Sequence, residues 1–356
     1  MEPEIPYNLQ TEMSHTSQIE SRGQAPKTGD TKTMPNHSAV SMFSGCGGLD
    51  LGFRGGFRYK DEWYKKHPFQ IVKAYDFDER AVATYRANIG DHIDHADLSK
   101  LSAREMPKAD LLIGGFPCQD FSSCGTHAGL DSKRGKLYRT LIRYMEEHQP
   151  KIVIGENVPN LARMQNGAIL KTILKDLESP GYVFNVWHLY APDYGVPQNR
   201  SRLIFIGVRK DLPCFPLRPP ATHSESHRSI EWAIEDLKKI SDEQVPNQSQ
   251  YFLASKAKRG NGQGDEKSKM GRPAYTVRAN AKSRVQFHYS LSRRLTVREC
   301  ARLQTFPDDF NFPHSATTNI MQIGNAVPPV LGHHVADAVA KCLAELNRGQ
   351  AASNSK

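Results

Sequence analysis

A short apolar run, Ala39–Phe43 (AVSMF), ends abruptly in a glycine cluster, SGCGGLDLGF. Few arrangements accept that juxtaposition, which reads as a strand, a tight turn and the start of a helix. The same grammar recurs downstream. Phe69–Ala74 is a second strand leading into Asp76 and a helix of about 78–88. Asp110–Gly115 (DLLIGG) is a third, and Leu137, Leu141, Ile142 and Met145 place an apolar stripe on the helix after it. Ile152–Ile154 is a fourth, followed by a helix around Ala168–Leu177, and Leu203–Val208 is a further strand. Strands alternating with helices predict parallel βαβ units. The expected architecture is α/β, a doubly wound and mostly parallel sheet whose sites lie at the carboxyl ends of its strands.

Past Val208 the alternation stops, and residues 209–292 hold Pro-rich pieces, Ser/His runs and the basic stretch KAKRGNGQGDEKSKMGR, followed by a more ordered, β-like segment, PAYTVRANAKSRVQFHY. A smaller domain of residues 209–312 is expected there, set against a larger one of 37–208 plus 313–348. Val335, Val339, Cys342, Leu343 and Leu346 form a helical stripe near the end, before a polar tail of 349–356. Residues 1–36 are polar and aperiodic, and disorder is expected for them. The net charge is +9, and 15 Lys and Arg against 9 Asp and Glu put +6 of it in residues 209–292. Such a field permits a polyanionic partner without proving one. The N-terminal MEPEIPYNLQ lacks the basic and apolar regions of a signal peptide, and no run of 18 apolar residues occurs. The expectation is a soluble, cytoplasmic monomer that does not associate with membranes. Cysteines 46, 118, 124, 214, 300 and 342 form no CxxC pair, so neither a disulfide framework nor a zinc site is expected. The pair His333–His334 has no ligand partner at suitable spacing, and no metal is assigned.

The chemistry-bearing residues cluster at predicted strand ends. Gly45, Gly47 and Gly48 let the backbone turn sharply and approach a ligand, beside the free N–H groups of a helix N-terminus. Asp76, ending the next strand, is placed to meet ribose hydroxyls, and Phe77 beside it can stack on a purine. In Gly114-Gly-Phe-Pro-Cys-Gln-Asp-Phe-Ser122, Cys118 follows Pro117 where a buried strand ends, a position that suits a reactive thiolate. Glu156, in GENVPNL, projects onto the same rim and suits acid–base assistance to a covalent step. In Gln198-Asn-Arg200-Ser-Arg202 the alternating arginines enter a strand on one face, suited to a base carbonyl or a phosphate.

Six blocks in order, FSGCGG, GGFPCQDFS, GENVPNL, QNRSRL, RRLTVRECARLQTFP and QIGNAVPPVLG, resemble those of the bacterial-type cytosine-5 DNA methyltransferases of restriction–modification systems. The resemblance runs from about residue 39 to 346, outside the basic region. It implies the class I S-adenosylmethionine methyltransferase fold, Rossmann-like, with residues 209–312 as a target-recognition domain. By residue it implies Cys118 as the nucleophile attacking carbon 6 of a flipped-out cytosine, Glu156 bonding at N3, Arg202 contacting O2, and Arg200 as a supporting or phosphate contact. Base flipping follows because carbon 6 is out of reach inside the stack. The S-adenosylmethionine pocket would comprise Phe43, Gly45, Gly47, Gly48, Asp76, Phe77, Asp97, Leu98, Pro117, Leu137, Asn325, Ala326 and Val327. Double-stranded DNA would meet Gln119 and Ser122 beside the nucleophile, Lys256, Lys258 and Arg259 through phosphates, and Arg272 and Arg278 through base edges. A cognate restriction endonuclease acting separately on the same sequence is the partner such a role implies. The chain departs from the family in carrying Asp76 where Glu is usual and Cys124 where Ser or Ala is usual; Cys124 and Cys46 read as packing residues.

Three rival readings fit less well. The Cys-Phe-Thr signature of an RNA-acting relative is absent, which argues for DNA. A silent DNA-binding descendant would not need Cys118, Glu156 and Arg202 together. A dinucleotide oxidoreductase would leave the PCQ and ENV blocks unexplained.

Overall fold

The computed structural model describes residues 37–116, 137–251, 267–279 and 286–354, which fall in one compact unit of residues 35–356. The tail 1–36, the residues Pro117, Cys118, Gln119, Ser122 and Cys124, and the basic residues Lys256, Lys258 and Arg259 lie outside the described residues.

The chain alternates as expected through β1 (His37–Met42), α1 (Gly48–Arg54), a hairpin of β2 (Phe57–Tyr59) and β3 (Glu62–Tyr64), β4 (Phe69–Asp76), α2 (Glu79–Asn88), β5 (Ile93–His95) and β6 (Leu111–Gly115). It continues through α3 (Arg139–His148), β7 (Ile152–Asn157), α4 (Ala168–Glu178), β8 (Tyr182–Tyr190) and β9 (Ser201–Arg209). Four further helices follow among the described residues: α5 (Ile230–Ile234), α6 (Val297–Leu303), α7 (Ala316–Asn325) and α8 (Pro329–Asn354). The main sheet has seven strands in the order β5-β4-β1-β6-β7-β9-β8, parallel except that β9 runs against both its neighbours.

Both faces of the sheet are covered, which is why its strands read as continuous apolar runs. Successive residues split between two hydrophobic clusters as the period of two requires. Leu111, Ile113, Ile152 and Ile154 join α1, α2 and α8 on one face. Leu112 and Val153 meet Leu141, Tyr144 and Met145 of α3 and Ile169 and Ile173 of α4 on the other.

Three expectations need correction. Cys214 and Cys342 form a disulfide, 128 residues apart in sequence, because the chain leaving β9 lies against α8. Spacing motifs detect only local pairs. The polar tail after 348 continues α8 to Asn354, since nothing but Gly349 opposes the helix there. The β-like segment PAYTVRANAKSRVQFHY makes only isolated bridges where it is described, Ala274 to Gln198 and Phe287 to Lys267 and Arg294. Residues of the 209–312 stretch, among them Ile230, Ala233, Val277, Leu295 and Ala301, share the hydrophobic cluster of the sheet's first face. These described residues therefore pack into the sheet's own core, and a distinct target-recognition role for the stretch is a functional proposal.

Candidate active site

Strand order reverses beside β1: β4 and β5 extend one way from it, β6, β7 and β9 the other. A doubly wound sheet opens its ligand crevice at such a switch point, outside the carboxyl ends of the strands. Among the described residues, Asp76 ends β4 on one bank of that crevice and Glu156 lies near the end of β7 on the other.

On the β4 side, β1 runs into Phe43, which adopts φ 55°. A bulky residue in the left-handed region is strained, and such strain gathers at ligand sites. Gly45 also has a positive φ, and its backbone faces open space, with no atom within 4 Å of where a Cβ would stand. Gly47 caps α1. Gly48 packs so tightly that a Cβ would lie 2.4 Å from the Val327 carbonyl oxygen and 3.1 Å from Ala326 Cβ. The glycine loop and the Asn325–Val327 block are thus in direct contact, as the sequence resemblance implied. Asp76 ends β4, and its carboxylate accepts the Gly45 N–H at 2.7 Å and the Asp78 N–H at 2.9 Å. Burial holds its carboxyl above the usual range. Phe77 is 70% exposed, an unusual position for a phenyl ring, with the His95 ring nearby. Asp97 is half-buried and its carboxylate accepts from Ser99 and pairs with Lys100. Leu98 sits in the second core cluster and Leu137 is half-buried just before α3.

Beneath the glycine loop lies a network that sequence reading missed. Asp50 of α1 is fully buried and accepts from Ser41 Oγ at 2.7 Å and Tyr85 OH at 2.8 Å. Ser44 Oγ donates to Ser41 Oγ, tying the loop to the same carboxylate. Burial pushes the Asp50 carboxyl up to about 6. Cys46 packs against it all as a buried free thiol, its pKa pushed up to about 12 by desolvation.

On the opposite bank, β6 delivers the chain to Phe116, two residues short of Cys118. Asn157 fixes this exit by donating from Nδ2 to the Phe116 carbonyl at 3.1 Å. In the parallel register Gly115 faces Glu156, and a Cβ on Gly115 would lie 3.0 Å from Glu156 Oε2, so any side chain there would press the carboxylate aside by a few tenths of an ångström. Because β9 is antiparallel to β7, its start reaches the same rim, with Leu203 opposite Asn157 and Arg202 one residue beyond. Arg202 Nε lies 2.5 Å from Glu156 Oε1, with both side chains nearly buried at 11% and 12% exposure. The N–H is not aligned on that oxygen, so the contact is an ion pair more than a directed hydrogen bond.

Arg200 turns out differently. It is fully buried, and its guanidinium donates to the carbonyls of Val277 (3.2 Å), Gly324 (2.9 Å) and Ala326 (2.8 Å). A phosphate contact does not fit it, since the side chain is buried and both Nη groups donate to backbone inside the protein, with Nε left unpartnered. Gln198 and Gln304, also missed, are buried beside it. Gln198 Oε1 accepts the Val277 N–H, its Nε2 donates to Leu303 O, and Gln304 Nε2 donates to Ala326 O. Extending the period-two face of the arginines back by one step to Gln198 would have found the first. Arg272 and Arg278 are exposed, and Asn325 is exposed at the end of α7.

The model for C-5 cytosine-specific DNA methylase matches residues 37–341. The chain belongs to that family. It is a DNA (cytosine-5)-methyltransferase. It is 34% identical over 337 residues to the Type II methyltransferase M.NgoPII of Neisseria gonorrhoeae, covering 85% of this chain and 95% of the relative. To M.FnuDI of Fusobacterium nucleatum it is 31% identical over 339 residues, covering 86% and 95%. Among solved structures, the S. pombe Dnmt2 methyltransferase superposes with TM-score 0.64 at 18% identity, covering 87% of this chain and 99% of that one. The Entamoeba histolytica methyltransferase EhMeth superposes with TM-score 0.66 at 17% identity and similar coverage, a likeness of fold. No helix among the described residues is long and apolar enough to cross a membrane.

Proposed function

We propose that this DNA (cytosine-5)-methyltransferase binds S-adenosylmethionine on the β4 bank of the crevice and a flipped-out cytosine of double-stranded DNA on the β7 bank, with Cys118 as its nucleophile. The observation that carries this is the Glu156–Arg202 pair, an acid and a base-contacting cation brought together at one strand rim beside the exit of β6. The β4 bank suits a nucleoside: open space over Gly45, a carboxylate at the strand end, and an exposed phenyl ring one residue on. Asp76 would accept from ribose hydroxyls with the lone pairs its two N–H donors leave free, and Phe77 would stack on the purine. When bound, the cofactor supplies an electrophilic methyl group.

The protein's own part runs through one bond to sulfur, made and then broken. The Cys118 thiolate forms a bond to carbon 6, and Glu156, hydrogen-bonded at N3, stabilises the enamine so produced while Arg202 holds O2. Carbon 5 takes the methyl group, loses its proton to a base, and the electron pair released expels the sulfur. The Type II methyltransferase relatives support a role in restriction–modification, protecting cytoplasmic host DNA from an endonuclease that acts separately on the same sequence. Target choice would rest on the exposed Arg272 and Arg278.

Bisulfite sequencing of DNA from cells producing the protein tests the reading and identifies the target. Methylated cytosines should appear in one sequence context and vanish with Cys118→Ser, which should keep cofactor binding. DNA carrying 5-fluorocytosine at that target should trap a covalent complex. Wild-type turnover by Cys118→Ser, or no trapped complex with active enzyme, would overturn the mechanism.

A further inference from the structure

The buried polar cluster of Gln198, Arg200 and Gln304 ties together two segments that also touch each other. One is the Gly324–Val327 block, which packs on Gly48. The other is the segment 274–279, which bears the exposed Arg278. Both backbone groups of Val277 are held by side chains: Gln198 Oε1 accepts its N–H at 3.0 Å and Arg200 donates to its carbonyl. The same guanidinium donates to Gly324 O and Ala326 O, and Gln304 Nε2 donates to Ala326 O as well. The approach is close enough that a Cβ on Gly324 would lie 2.4 Å from Ala279 N. Ala274 completes the docking by exchanging backbone bonds with Pro197 and Asn199, on the strand entry that carries Arg200. Among the described residues no carboxylate forms an ion pair with Arg200, on which Glu156 acts only at longer range, while Arg202 two residues on pairs with Glu156 directly. A charge buried largely on carbonyls is costly, and its two Nη groups are satisfied only while all three carbonyls stay in place.

We propose that Arg200 is a positioning residue that couples occupancy of the cofactor block Asn325–Val327 to the order of the segment 274–279 bearing Arg278. This rests on the reading of that block as part of the cofactor pocket. A ligand that steadies Asn325–Val327 fixes the Ala326 carbonyl that Arg200 holds and restrains that of the adjoining Gly324, and the third, on Val277, is then less free to open. By reciprocity, DNA that orders 274–279 tightens cofactor binding. Lysine at this position keeps the charge but presents one ammonium on a flexible stem, which cannot span three carbonyls in a fixed fork.

The test is amide hydrogen exchange of the full-length protein with and without saturating S-adenosylhomocysteine. In the wild type, exchange should slow at residues 325–327 and also at 274–279, the latter by at least about 5-fold, the low end of ordinary allosteric coupling. In Arg200→Lys the ligand should still protect 325–327 while protection at 274–279 is lost. Arg298→Lys is the control, because Arg298 is equally buried and caps the carbonyls of Pro246, Pro307 and Phe310 but none in either segment. It should destabilise the fold and leave the transmitted protection intact. Should Arg200→Lys not fold, the wild-type measurement decides, with Gln304→Leu removing the second donor to Ala326. Protection confined to 325–327 in the wild type, or transmitted equally by Arg200→Lys, overturns the coupling alone. Absence of any binding overturns the cofactor reading and the coupling with it.

Discussion

Replacing Gly48 with alanine should separate cofactor binding from mere stability. The added methyl would stand 2.4 Å from Val327 O, 3.1 Å from Ala326 Cβ and 3.3 Å from Phe306 Cζ. An unstrained carbon–oxygen contact is about 3.3 Å, so the block must retreat by roughly 0.9 Å. It cannot retreat freely, because Arg200 and Gln304 both hold Ala326 O. Overpacking of this kind costs about 1–3 kcal/mol. The better helix propensity of alanine in α1 returns up to about 1 kcal/mol, which leaves a net loss between about 0 and 3 kcal/mol. If the block forms one wall of the cofactor pocket, a displacement of that size should weaken S-adenosylhomocysteine binding by about 5- to 30-fold, the equivalent of 1–2 kcal/mol.

The control lies on the same helix. A methyl at Gly52 would meet Pro329 O at 2.6 Å and Gly332 C at 2.8 Å, overpacking α1 against α8 away from the block. Gly52→Ala should therefore lose at least as much stability in urea unfolding while binding the cofactor normally by calorimetry. Unchanged affinity in Gly48→Ala, or equal loss in Gly52→Ala, would refute the idea that Gly48 seats the Asn325–Val327 wall.

Asp76→Ala should raise the Michaelis constant for S-adenosylmethionine by about 10- to 100-fold with less effect on turnover, since hydrogen bonds to a charged group are worth about 1.5–3 kcal/mol; steady-state kinetics with plasmid DNA would read it, and an unchanged constant removes Asp76 from the site. Neutralising Lys256, Lys258 and Arg259 should weaken binding to all duplexes alike and make the salt dependence shallower by about one unit per lost contact. Replacing Arg272 or Arg278 should instead relax target choice, by about 1–3 kcal/mol for a bidentate arginine–guanine pair; binding to target and scrambled duplexes across a salt series distinguishes the two sets. Burial raises the Asp50 carboxyl from 3.8 to about 6, so between those values the unfolded chain releases its proton first and stability falls as pH rises. Asp50→Asn should remove that decline, gaining up to about 3 kcal/mol on the wild type between pH 4 and 7. A stability difference independent of pH would show that Asp50 is not titrating alone inside the fold.

Much of this fold was legible because apolar runs that end in glycine or acid leave few alternatives. β1, β4, β6 and β7 all lie where such runs stand, and Asp76 and Glu156 end up on the rim for that reason. β8 was missed although YVFNVWHLY alternates, because its exposed positions include Val183 and its buried ones, Leu189 apart, are aromatic, which blurs the contrast that marks a half-buried strand. Asp50, Gln198 and Gln304 were missed for a different reason. Each is a buried polar residue whose meaning lies in partners far along the chain, and spacing cannot name a tertiary partner. The pair of arginines makes the point most directly. Arg200 and Arg202 are of one type, two residues apart, on one face of the chain entering β9, and local sequence treats them alike. What lies opposite each is decided by the order of strands and by the docking of 274–279. Arg202 meets the carboxylate of β7 because β9 runs antiparallel beside it, whereas Arg200 meets carbonyls of Val277, Gly324 and Ala326. One is left at the rim as a charge with an acid beside it, available to a base. The other becomes a link inside the protein, and only the topology separates them.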